Sequence, residues 1–96
     1  MNFCVREHSM EMKSYLFRTC GVSAPGEGSA LFNNVVAALN ELAGGGHKLE
    51  MFQLAATVAD DRDGPMVIMP MKAPSGWYHH VQPVLQRHGL DCREYW

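Results

Sequence analysis

The chain has 96 residues, 47% of them hydrophobic and 19% charged, with a formal charge of −2. That composition belongs to a folded globule and excludes a disordered segment, and the length is one domain's worth, enough for a single core. Lysine occurs only at Lys13, Lys48 and Lys72 and no basic run exists, so nucleic acid and anionic membrane surfaces are not expected partners.

Residues 1–11 read as an N-terminal extension, in which Phe3 and Val5 alternate as a possible extra strand would, and residues 12–96 as one α+β domain. The first convincing strand is 13–21, with Tyr15, Phe17 and Thr19 on one side and Leu16, Arg18 and Cys20 on the other. "SAPGEGS" breaks regular structure, and Ser29 is the expected N-cap of a helix over 30–43. Leu31, Val35, Ala38, Leu39 and Leu42 make that helix's apolar stripe, and Gly44 to Gly46 stop it. A second strand over 48–59 leads to "DDRDG", with its tight corner at Asp63–Gly64, and a third strand over 65–71 completes a hairpin. The second helix lies within 75–89, and 90–95 is the last strand. The order β-α-β-β-α-β is the ferredoxin-like split βαβ pattern: a four-stranded antiparallel sheet with two helices on one face.

An antiparallel sheet with one wet face alternates apolar and polar residues. "PMVIMPM" does not: Met66 and Ile68 stand opposite Val67, Met69 and Met71, and Met51, Phe52 and Leu54 behave similarly. The second face is therefore expected to be covered. A sheet-to-sheet homodimer through Met51, Val67, Met69 and Met71 is one way to cover it, and a ligand cavity between sheets is another. Methionine suits both.

"PSGWYHHVQPVLQRHG" gathers three histidines and two aromatics. At helical spacing Trp77, Val81, Val84, Leu85 and His88 share a face, His79 lies almost opposite, and His80 sits on the flank. Adjacent histidines cannot both face one metal from a regular helix, and His80 and His88 are two turns apart, so no metal or cofactor is expected. Pro83 allows two arrangements. Either a helix capped by Ser75 kinks, or "WYHH" is a separate loop or first turn and the regular helix begins near Gln82. In the second, Tyr78, His79 and His80 become candidate ligand-binding or catalytic groups beside a Trp77 anchor. His88 is expected to satisfy carbonyls at the helix end.

Other motifs carry less. "APGEG" has no Walker lysine and no GxGxxG, and Asp60, Asp61 and Asp63 lack the twelfth-position glutamate of a calcium loop. No apolar stretch reaches the roughly 18 residues of a membrane span, and the N-terminus lacks the core of a signal peptide. Cys4, Cys20 and Cys92 form no CxxC and read as reduced thiols of a cytoplasmic protein. Pairing of the first and last strands would bring Cys20 and Cys92 together, as buried thiols rather than a redox pair.

"APG" ahead of the first helix and "VLQRHGLDCREYW" at the end resemble ACT domains, small regulatory modules that bind amino acids at dimer interfaces. The resemblance runs in outline over most of 13–96, with the extra residues "EGS" in the turn. It implies a ligand near Pro25 and Gly26. The expected function is thus a non-enzymatic, homo-oligomeric binding or regulatory module for a small ligand or protein. The alternatives are a small enzyme of the dimeric α+β-barrel type, with Tyr78, His79 and His80 lining its cavity, and a module that docks a different protein chain.

Overall fold

The computed structural model describes residues 11–20 and 27–95. The expected extra strand around Phe3 and Val5, and the turn residues Pro25 and Gly26, lie outside the described residues. In chain order the elements are β1 (Glu11–Thr19), α1 (Gly28–Gly44), β2 (Glu50–Met51), β3 (Thr57–Asp61), β4 (Gly64–Ala73), α2 (Trp77–His80), α3 (Gln82–Arg87) and β5 (Leu90–Tyr95). The fold is α+β, an antiparallel sheet of five strands with three helices. Neighbours in the sheet run β2-β4-β1-β5, with β3 also on β4.

The sequence predicts four strands and two helices, and both differences are interruptions caused by proline. Phe52 donates its N–H to the Pro70 carbonyl at 2.9 Å, so the Pro70 backbone faces the edge strand. Proline has no N–H to return, and the ladder fails there. The edge strand leaves as a 3-10 turn, Gln53–Ala55, with Leu54 fully exposed, and resumes with Thr57 opposite Ile68. In the last third of the chain, Val81 takes φ −122° and ψ 22° and divides "WYHH" from a helix that carries Pro83 in its first turn. Of the two arrangements open to Pro83, the chain adopts the broken one.

Two caps and one corner also differ from expectation. Leu31 N–H already bonds the Glu27 carbonyl at 3.0 Å, so α1 is running before Ser29 and its N-cap is Glu27. Gly76, at φ 71°, starts α2 in place of Ser75. Asp61 pairs with Gly64, which puts Arg62 and Asp63 at the hairpin corner, one residue earlier than predicted. The Asp61 carboxylate accepts the Asp63 N–H at 2.8 Å, and Gly64 takes φ 106°, a conformation open to glycine at little cost.

The core forms where the α1 stripe of Leu31, Val35, Ala38, Leu39 and Leu42 meets Tyr15, Phe17, Val67, Met69, Met71 and Leu90. Trp77, Val81 and Leu85 close its other end. The register Tyr15↔Met69 and Phe17↔Val67 puts these strand residues on one face. Val67, Met69 and Met71, expected in a sheet-to-sheet interface, have no exposed surface and pack in the core on the helix-covered side. Met51 is half-buried beside the same cluster. The face that no described helix covers carries the other parity, with buried Leu16 and half-buried Met66, Ile68 and Pro70 interleaved with Arg18, Arg93 and Lys72.

Truncation separates the two parities. Met69→Ala is expected to cost about 2–5 kcal/mol of unfolding free energy, as for a buried methionine, and Met66→Ala less than about 1 kcal/mol. Urea unfolding of the two variants checks it; equal losses would contradict this register.

Candidate functional site

The α2 turn is built from aromatic contacts. Trp77 is buried and meets Tyr15 edge-on, ring centroids 5.5 Å apart at 75°, and Tyr78 at 5.8 Å and 82°. Tyr15 and Tyr78 close the triangle at 5.7 Å and 65°. Such edge-to-face geometry sets the negative face of one ring against the positive edge of the next. The indole Nε1 of Trp77 is buried and makes no hydrogen bond among the described residues. Burial raises the Tyr15 phenol above its ordinary pKa, opposed by the Trp77 side chain. Burial and then the Glu94 carboxylate raise that of Tyr78. Both shifts favour the neutral phenol.

The histidines predicted as candidates do not join this cluster as a site. His79 packs its ring against Tyr78 at 4.4 Å, and both His79 and His80 are exposed. Neither lines a described cavity, and among the described residues no group of three His, Cys, Asp or Glu is placed to hold a metal. Of Trp77, Tyr78, His79 and His80, only Tyr78 borders the concavity over Leu16, Arg18 and Met66.

That concavity is a depression of about 650 Å³, open to solvent, lined by Leu16, Arg18, Met66, Arg93 and Tyr95 together with Asp61, Tyr78 and Glu94. Its size is that of a small-molecule site. Its two ends are fixed by ion pairs. Asp61 holds Arg18 in a bidentate contact, 3.2 and 2.6 Å, while Arg18 also lies 3.6 Å from the Met66 Sδ. Lys13 approaches Glu94 at 3.5 Å. Arg93 makes no ion pair among the described residues. Sequence reading missed Arg18, Asp61 and Arg93 as site residues, because only the β1–β4, β1–β5 and β3–β4 registers bring them together.

His88 has a different task from the one expected. Its ring Nε2 lies 2.8 Å from Glu41 Oε1 on α1, and Arg87 grips the same carboxylate through both terminal nitrogens. Asn34 Nδ2 donates to the His88 carbonyl at 3.2 Å. The cluster ties α1 to the end of α3. The thiols also part company: Cys92 stands opposite Phe17, facing the core, while exposed Cys20, just past the end of β1, lies three residues beyond Phe17, about 10 Å on at strand spacing. They are not neighbours. Burial pushes the Cys92 thiol well above its ordinary pKa, so it is unreactive. Compared with known protein families, curated proteins and solved structures, the chain matches none.

Arg87 first, then His88, lowers the Glu41 pKa from 4.5 to about 2. A carboxyl whose folded-state pKa is depressed contributes stability above its unfolded pKa and loses it as pH falls through the folded value. Glu41→Gln should therefore lower the melting temperature at pH 7, and the gap from wild type should close as pH falls from 4.5 toward 2. Melting curves across that range measure the gap; a constant one would show that the ion pairs contribute nothing.

Proposed function

We propose that the protein is a non-enzymatic, homo-oligomeric binding module whose uncovered sheet face takes a small ligand with an apolar body. Counting β2 and β3 as one strand interrupted opposite Pro70, and α2 and α3 as one helix interrupted at Val81, gives the order β-α-β-β-α-β. That count supports a ferredoxin-like split βαβ as its framework. The observation that carries the ligand reading is the depression that Leu16, Arg18, Met66, Arg93 and Tyr95 line on the uncovered face, with Tyr78 and Glu94 bordering it from the helix side. Leu16 and Met66 line its floor, Tyr95 stands half exposed over it, and Arg18 and Arg93 flank it.

The charged rim favours a ligand over a sheet-to-sheet partner. Burying the Arg18–Asp61 pair together with Asp91 and Arg93 under a second sheet would strip water from all four, and the cost is several kcal/mol for each ion left without a partner. A small molecule covers the apolar centre and leaves the rim wet. The reading as an α+β-barrel enzyme needs Tyr78, His79 and His80 in one cavity, and among these only Tyr78 has that support.

The dye 8-anilinonaphthalene-1-sulfonate is a suitable probe, with fused rings for the centre and an anion for the arginines. Its fluorescence should rise on mixing with protein that still unfolds cooperatively, and Met66→Lys should remove most of that rise with the far-UV circular dichroism unchanged. A dark wild type, or a variant as bright as wild type, would overturn the proposal.

A further inference from the structure

β5 pairs with β1 on one side and with no described strand on the other. The opposite edge of the sheet is broken opposite Pro70 into the short strands β2 and β3, so β5 is the longest unbroken edge strand among the described residues. Its phase is fixed by one hydrogen bond. Cys20 donates its N–H to the Gly89 carbonyl at 2.9 Å, so that carbonyl points at β1 and the next amide, of Leu90, points away. Backbone groups alternate along a strand. The N–H and C=O groups of Leu90, Cys92 and Glu94 therefore face the open edge, while those of Asp91 and Arg93 serve β1.

An identical strand added antiparallel must be related by a two-fold axis, and few registers are available. A register that sets odd positions against even ones turns core-facing side chains toward the uncovered face. An axis through Asp91 sets two carboxylates opposite each other, and one through Arg93 sets two guanidinium groups opposite each other, both repulsive. An axis through Cys92 does neither. It sets Asp91 against Arg93 of the partner subunit, and Arg93 against Asp91 of the partner subunit. It does so at the non-hydrogen-bonded positions, where side chains approach most closely. The outward groups of Leu90, Cys92 and Glu94 then form about six inter-chain backbone hydrogen bonds.

We propose that β5 pairs antiparallel with β5 of a second copy about an axis at Cys92, joining two sheets into one through reciprocal Asp91–Arg93 ion pairs. This supplies the oligomer in the functional reading above. It also places the partner's Asp91 and the partner's Leu90 beside Arg93 and Glu94, at the β5 end of the depression, so each ligand site borders both chains.

Charge exchange tests the register. In native mass spectrometry over a concentration series, wild type should be a dimer. Asp91→Arg and Arg93→Asp should each weaken it, the dissociation constant rising on the order of tenfold or more. An equimolar mixture of the two variants should form the heterodimer, in which both cross-strand pairs are again opposite in charge. Misfolding of a variant cannot produce that rescue. In the wild type, amide exchange resolved by residue should slow at Leu90, Cys92 and Glu94 as protein concentration rises, which pairing through the sheet face would not cause. A monomeric wild type, variants that dimerise unchanged, a mixture that gains nothing, or fast exchange at those three amides would overturn the proposal. Dye binding to the uncovered face reads the ligand proposal separately, because it needs only one chain.

Discussion

The pairing of β1 with β4 is the constraint on which the rest of the molecule depends. Its register, from Glu11↔Ala73 to Arg18↔Met66, sets which methionines enter the core and which are left on the other side. Tyr15 and Phe17 align with Met69 and Val67 under α1, while Leu16 and Arg18 align with Ile68 and Met66 on the opposite face. A slip of one residue would exchange the two sets along the whole strand. The arginine brought alongside Met66, the carboxylate that reaches it from the hairpin, and the aromatic triangle beneath α2 all take their positions from this pairing.

Proline supplies the second level of control. Pro70 and Pro83 each remove one donor from an otherwise regular element, and in both places the chain turns the gap into a boundary. The first boundary leaves Leu54 projecting from the edge strand. The second separates the α2 turn, whose Trp77 and Tyr78 both reach Tyr15, from the helix that carries Leu85 into the core.

Much of the fold was legible in the sequence because its signals are local. The α1 stripe of Leu31, Val35, Ala38, Leu39 and Leu42 was read from spacing alone, and every one of these residues is in the core. Each strand region was likewise located by alternation or by its turn residues. Sidedness was not legible in β4, where "MVIMPM" is apolar at both parities and nothing within the strand says which side the helices take. The same ambiguity hid the depression, whose Arg18, Asp61 and Arg93 come from three strands and meet only through tertiary register. Density of chemically suggestive residues misled in the other direction: His79 and His80 caught the eye, yet they are exposed, while His88, the plainest of the three, holds Glu41. Ser29 and Ser75 were credible caps on composition and lost to neighbours already committed by backbone hydrogen bonds.

The interruption at Pro70 also governs how far such a sheet could grow. A β-sheet with two intact edges can add copies at both, and head-to-tail addition then has no natural end. Here one border is interrupted at the turn Gln53–Ala55, and the other is a short strand rich in charge. In the proposed β5 pairing, growth through that border ends when two copies have met, and the interrupted border offers a second copy only short runs of ladder.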